Sequence, residues 1–250
     1  MASPTCMRQK AVSPASDVFR VAQCVCRVGD YEWAYAAERR AQIDQHWAQA
    51  SAVNPTFFDG IVLLTSACHL DDVDGPSSRL ALTLFETRFR NFLYWHSHGF
   101  AGQGAIDAFG AGIVRASDGA LLLVRQHPGN VNEGPFNFPS GFIDRSDVDE
   151  DGQVDIGGNV ARELAEEVGL TTADMERCPG FVVTRVGVHL AVGVEFRSPL
   201  TSDHLAARIS AFLTTGKDRE IAQAIFVRKT QHLEGLELAP HCRQLLSVLL

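Results

Sequence analysis

The run Arg162-Glu163-Leu164-Ala165-Glu166-Glu167-Val168-Gly169-Leu170 places three carboxylates within five positions. On a helix, Glu163 and Glu167 share one face, and Glu166 adjoins it. Like charges at that spacing repel, so the cluster calls for a cation. Carboxylate oxygens suit Mg²⁺ or Mn²⁺. Arg162 can reach Glu166 one turn on, or hold a neighbouring glutamate. Leu164 and Val168 lie on another face, available to a core. Gly169 can end the helix in the left-handed conformation. Taken alone, E-x-x-E-E also describes a solvated acidic helix face, so its surroundings decide the reading.

Those surroundings interleave strands and helices. Residues 18–28 are β-rich, and 30–52 are Ala-rich and helical by propensity. Asn54-Pro55 stops that helix. After the Asp59-Gly60 turn, residues 60–70 and 79–89 read as strands, with a short helix over 90–100. Gly99, Gly102 and Gly104 form a joint, which sets a boundary near residue 103. Beyond it, Ser117-Asp118-Gly119 joins two strands of a hairpin. A Gly/Asn/Pro-rich loop and an acidic stretch follow. A helix is expected over 159–170, strands over 180–197, a helix over 205–213, a strand over 221–229 and a closing helix over 240–250. The pattern predicts a mixed sheet with helices on both faces. The expected organisation is a flexible N-terminus over 1–17, an α+β subdomain over 18–103 and a second domain over 104–250.

The totals narrow the function. With 250 residues and 46% hydrophobic content, the chain can build a sizeable core. A net charge of −8 disfavours general binding to nucleic acid or anionic membranes. No window approaches a membrane span, and residues 1–17 lack the apolar core of a secretory signal. The six cysteines form no C-x-x-C pair. Cys24 and Cys26 fall on one side of a strand. Reduced thiols in a cytoplasmic protein are therefore expected. His96-Ser97-His98 would ligate a metal only with a third partner.

Residues 162–170 resemble the second half of the Nudix box, G-x5-E-x7-R-E-U-x-E-E-x-G-U, at every specified position. Upstream, Phe136-Asn137-Phe138-Pro139-Ser140-Gly141 is similar to the family's aromatic-x-apolar-P-G-G segment, with Ser140 replacing a glycine. The resemblance covers about residues 104–250. It implies a Nudix-type α/β/α sandwich around a mixed β-sheet, here with an N-terminal α+β extension. It also implies Mg²⁺- or Mn²⁺-dependent hydrolysis of a nucleoside diphosphate linked to another group. Carried over, Glu163 and Glu167 would be metal ligands. Glu166 would be a third ligand or the base acting on water, and Arg162 would orient a glutamate. Gly141 would let the loop curl against the helix. Arg125 is a candidate for holding the leaving phosphate, or a surface arginine. Glu220 is a candidate for a downstream loop base, or part of a solvated turn.

The segment around Asn54-Pro55, Phe58 and Asp59-Gly60 resembles the N-terminal extension of Nudix hydrolases that act on UDP-sugars. That implies UDP-glucose or UDP-galactose as substrate, cleaved to UMP and sugar 1-phosphate. ADP-ribose, a dinucleoside polyphosphate or coenzyme A are the other enzymatic readings, and a non-catalytic nucleotide-binding domain is a third. Phe136 and Phe58 could face substrate. Phe57, Tyr94 and Trp95 could do so or be core, and Arg88 and Arg90 could meet phosphates or sit on a strand face. The partner expected is a small-molecule nucleotide, with a monomer or homodimer as the assembly.

One stretch departs from the pattern. Gly141 and Arg162 stand 21 positions apart, seven more than the box specifies, and the acidic run from Asp144 to Asp155 supplies the excess. Counted back from the helix, the box's first glutamate falls on Val154. Asp155 could cap the helix, or replace that glutamate and tether Arg162. Asp147, Asp149 and Asp151 take the first, third and fifth places of a calcium loop. The twelfth place, however, is Gly158 rather than glutamate, which argues against an EF-hand. A non-helical calcium loop or a solvated, mobile loop remain as readings of this run.

Overall fold

The computed structural model describes residues 18–72, 75–102, 104–216 and 220–250. The N-terminal stretch 1–17, expected to be flexible, lies outside these. In chain order the elements are β1 (Val18–Val21), β2 (Gln23–Val28), α1 (Ala34–Glu38), α2 (Arg40–Val53), β3 (Ile61–Asp71), β4 (Arg79–Arg88) and α3 (Phe89–Ser97). Then come β5 (Asp107–Arg115), β6 (Leu121–Gln126), β7 (Gln153–Val154), α4 (Ile156–Val168), β8 (Glu176–Arg177) and β9 (Phe181–Val186). The chain closes with β10 (His189–Arg197), α5 (Ser202–Leu213), β11 (Ile221–Val227) and α6 (Pro240–Leu249).

The larger sheet has the order β1-β9-β10-β5-β6-β11, with β8 paired to β10. Its central pair, β10 and β5, is parallel, while the flanking pairs are antiparallel. Alternation along β5 sorts its side chains to two faces. Gly110, Gly112 and Val114 turn toward α4, and Ala111 and Ile113 toward the cluster under α6. The fold is therefore α/β, with α4 and α5 packed on one face of a mixed sheet and α6 on the other.

The smaller sheet, β3-β4-β2-β7, shares the apolar cluster of the α4 face through Cys26, Leu63, Leu80, Leu82 and Leu84. The two halves of the chain each give a strand to the other's sheet. β1 belongs to the large sheet through β9. β7, from the acidic insertion, belongs to the small sheet through β2, with Cys26 opposite Val154. So the insertion is not a free solvated loop: Val154 is buried and its backbone completes a sheet edge. Asp149 Oδ1 accepts the amides of Asp151 and Gln153 at 2.9 and 2.8 Å and closes the turn, with Gly152 at φ +74°.

Two local outcomes differ from the sequence expectation, and the aromatic residues resolve to the core alternative. The helix over 30–52 is broken at Arg39, because Trp33 and Tyr35 turn into an aromatic cluster with Phe85, Phe92 and Trp95. The chemistry-bearing helix starts at Ile156, three residues early. Gly157 and Gly158 lie in its first turn, and a Cβ on Gly157 would overlap the Arg177 guanidinium. Phe57, Tyr94 and Trp95 are core or packed against it, Phe57 lying edge-on to Phe89 at 5.7 Å. Cys24 and Cys26 do share a side, with their sulfurs 3.5 Å apart. Among the described residues no helix is long and apolar enough to cross a membrane.

Helix α4 can lie close to β5 because Gly110 and Gly112 have no side chain. A Cβ on Gly110 would overlap Val160, and one on Gly112 would stand 3.0 Å from Leu164. Gly110→Ala is expected to lower stability by about 1–3 kcal/mol through overpacking. The check is a lower denaturant midpoint with an unchanged slope.

Candidate active site

Helix α4 presents its carboxylates where a loop from β6 crosses its side. Asp155 caps the helix by accepting the Gly157 amide at 2.9 Å, and Gly169 ends it at φ +69°. Ile156, Val160, Leu164 and Val168, spaced four apart, bury a stripe of the helix against the core, with Glu167 at its edge. That leaves Glu163 and Glu167 facing the loop of residues 139–141.

Gly141 lies directly on Glu163, so that a Cβ would overlap the carboxylate. Glu167 is only 3% exposed, and its Oε2 accepts the Ser140 amide at 3.1 Å. Its side chain forms the floor of a narrow cleft lined by Val124, Gln126, Asn132, Asn137 and Ser140. Glu166 is the outer member, with 60% of its side chain exposed.

Arg162 binds these groups together. It reaches Glu163 at 2.8 Å, Glu166 at 2.9 Å and Asp147 at 3.2 Å. Burial disfavours the guanidinium charge, but Glu163, Asp147 and Glu166 more than offset this and raise its pKa. The Glu163 carboxyl is pushed up to about 7, chiefly by burial. Arg162 opposes that rise, while the charges of Glu166, Glu220 and Asp147 add to it. A carboxyl held that far above its ordinary range is short of positive charge.

Asp147 is the residue the sequence reading misplaced. It is not part of a loose loop, and among the described residues it does not converge with two further acids on one point. Its side chain is 5% exposed and accepts hydrogen bonds from the Asp144 amide at 3.0 Å and Asn159 Nδ2 at 2.8 Å, besides Arg162. Counted forward from Gly141 rather than back from the helix, the sixth residue is Asp147. The box therefore reads G-x5-D, and the seven extra residues lie after the acid instead of before it. That forward count was the available signal. Val154 is core and Asp155 is the cap, so neither tethers Arg162. Asp149 and Asp151 are exposed turn residues. Asn159, buried and bonded also to the Phe142 carbonyl at 3.1 Å, carried no signal in the sequence.

The remaining candidates divide. Glu220 is close enough for its charge to act on Glu163, and its carbonyl accepts the His127 amide at 2.7 Å. Arg125 is on the face of β6 opposite Val124 and Gln126, away from the Glu167 cleft. Its guanidinium lies 5.0 Å over the Phe136 ring and donates to Gln223 at 2.7 Å. Phe136 is core, in the cluster beneath α6. Arg90 is held by Asp59 at 2.6 Å and Asp44 at 2.9 Å, which makes it a structural ion pair rather than a phosphate clamp. Phe58 is 82% exposed, on the loop where Asn54 bonds the Gly129 carbonyl at 3.0 Å. His98 bonds its own helix at Tyr94, and no third ligand joins His96 and His98 among the described residues.

A family model for the NUDIX domain matches residues 106–237, just over half the chain. The chain belongs to the Nudix family. Nudix hydrolases act on nucleoside diphosphate derivatives and generally use divalent metals, so this Nudix chain is a hydrolase of the pyrophosphatase class. No curated protein matches it by sequence. Among solved structures it is similar to the MutT protein of Methanosarcina mazei Go1, at 18% identity over 58% of this chain and 92% of that one, TM-score 0.38. RenU, a Nudix hydrolase of M. smegmatis, shares 17% identity over 57% and 81%, TM-score 0.38. A bifunctional NMN adenylyltransferase/ADP ribose pyrophosphatase of Francisella tularensis shares 17% over 64% and 45%, TM-score 0.39.

The carboxylates fit a hard divalent cation by chemistry: oxygen donors on one helix face, one of them short of positive charge. As they stand among the described residues, no three acidic or histidine side chains converge on one point. Arg162 instead occupies Glu163 and Glu166, and is the cation a metal would displace.

Two outcomes follow. Gly141→Ala should displace the Glu163 carboxylate and cut turnover by about a hundredfold, with a smaller effect on thermal stability, measured on the same preparation. His241 Nε2 pairs with Asn137 Oδ1 at 3.0 Å. Burial, then the nearby His189, pushes His241 from 6.5 down to about 4. The unfolded chain thus takes up a proton between those values while the folded chain does not. Stability contributed by neutral His241 is complete above pH 6.5 and lost as pH falls toward 4. His241→Gln should flatten the profile of unfolding free energy against pH in that window, by up to about 3 kcal/mol, as read from denaturant titrations.

Proposed function

We propose that the protein hydrolyses a nucleoside diphosphate linked to a second group, with UDP-glucose or UDP-galactose as the first substrates to test. The observation that carries the reading is the pairing of Gly141 with Glu163, and of Ser140 with Glu167, beside an intact set of box glutamates. A diphosphate cannot approach three carboxylates without added positive charge. Mg²⁺ or Mn²⁺ held by Glu163 and Glu167, with Glu166 at the rim, would supply it and lower the pKa of the attacking water. The chain's own part is positional. Glu167 is fixed by the Ser140 amide, and Glu163 by its close contact with Gly141. Glu220, whose charge reaches Glu163, would be the candidate to accept a proton. The choice of a UDP-sugar rests on the N-terminal resemblance and on the exposed Phe58, an unburied ring that can stack on a base.

A panel of UDP-sugars, ADP-ribose, dinucleoside polyphosphates and coenzyme A, assayed with Mg²⁺, decides the substrate. Glu167→Gln should lower turnover of the best substrate by about a hundredfold or more. No turnover across the panel, with nucleotide still bound, would instead make the domain a binding module. Preference for ADP-ribose would keep the chemistry and remove the sugar reading.

A further inference from the structure

We propose that the loop of residues 127–134 is a clasp that sets Glu220 against the carboxylate face of α4, with Asn130 and Asn54 as its positioning residues. This rests on the reading above in which Glu220 accepts the proton. A base acts only within hydrogen-bond reach of the water it serves, and its carboxylate is placed no better than its own backbone. Glu220 stands just before β11, whose first residue, Ile221, pairs with Gln126 at the end of β6. The Glu220 carbonyl takes two donors from the loop that leaves β6. The His127 amide lies at 2.7 Å and Asn130 Nδ2 at 3.1 Å, one for each lone pair of the oxygen. Glu220 is in turn near enough for its charge to act on Glu163.

The far side of the loop is tied to the N-terminal half. Asn54, where α2 stops, donates from Nδ2 to the Gly129 carbonyl at 3.0 Å. Its orientation is set by Thr56, whose amide and hydroxyl both donate to Asn54 Oδ1, at 3.1 and 2.5 Å. That leaves the Nδ2 edge for the loop. Val131 packs against the aromatic cluster of the N-terminal half. Within the loop, the Asn130 amide donates to the His127 carbonyl at 3.2 Å, and the Glu133 carboxylate accepts the Gly129 amide. The Asn132 amide meets Gln126 Oε1 at 3.3 Å, and both residues line the Glu167 cleft. One short segment therefore touches the N-terminal half, the wall of the cleft and the backbone of Glu220. Most of its residues are exposed, so its shape depends on these bonds more than on burial. Through Asn54, Gly129, Asn130 and Glu220, the N-terminal half gains a hold on the placement of the base.

The test uses the full chain with Mg²⁺ and, as probes, UDP-glucose, ADP-ribose, a dinucleoside polyphosphate and coenzyme A. Hydrogen exchange of the same variants, read by mass spectrometry without any probe, stands beside it. Asn130→Ala and Asn54→Ala should each lower kcat on the best probe by about ten- to a hundredfold, with KM kept within about twofold. Each should also speed amide exchange across residues 126–134 by about fivefold. Glu220→Gln should lower kcat by about a hundredfold or more. Adding Asn130→Ala to Glu220→Gln should lower kcat no further, since no base is left to place. If the parent turns over none of the probes, the hydrolytic reading fails. If Glu220→Gln turns over as the parent does, the Glu220 reading fails. If Glu220→Gln is slow while Asn130→Ala or Asn54→Ala matches the parent in kcat or in exchange, the clasp alone is overturned. The clasp is likewise overturned if the Asn130→Ala loss adds in full to that of Glu220→Gln.

Discussion

The site depends on one shared cation of the chain's own, the Arg162 guanidinium. Three glutamates in five positions would destabilise an isolated helix. Here the repulsion is answered from one side by Arg162, set among Asp147, Glu163 and Glu166. Burial works against the guanidinium charge, and the surrounding acids outweigh it. The balance is incomplete, since burial first, and then the neighbouring acids, still push the Glu163 carboxyl up to about 7. That residual deficit of positive charge is what a divalent cation relieves.

Around this centre, close approach does the arranging. Gly141 lets the loop backbone lie on Glu163, and Gly110 and Gly112 let α4 lie on β5. With one helix face buried by Val160, Leu164 and Val168, the adjoining carboxylates of Glu163 and Glu167 meet the loop of residues 139–141. The N-terminal half is therefore not an appendage to a finished domain. Its aromatic cluster carries Phe142 and its small sheet carries β7. Its polar residues Arg90, Asp59 and Asp44 are spent on one another.

Much of this was legible in the sequence, and the rest failed for identifiable reasons. The helix face, its glycine stop and the hairpin at Ser117-Asp118-Gly119 follow from local spacing alone. The break at Arg39 does not, because burial of Trp33 and Tyr35 in a distant cluster overrides Ala-rich propensity. The side of β6 from which Arg125 projects depends on which face meets α4, a tertiary fact. Asp147 was legible only by counting from the glycine. A seven-residue insertion leaves two alignments, and pairing of β7 with a strand over a hundred residues earlier decides between them. The acidic run looked like a cation loop because its composition is that of one; its geometry is an Asx-closed turn at a sheet edge.

The account stands most directly on a crystal structure of the full chain grown with Mn²⁺ and a non-hydrolysable nucleoside diphosphate analogue, with anomalous scattering to locate the ion. It predicts the ion at Glu163 and Glu167, at oxygen distances of about 2.0–2.4 Å. Arg162 should still be paired with Asp147, and β7 still paired with β2. An ion bound instead by Asp147, Asp149 and Asp151, with Arg162 released from Asp147, would contradict it.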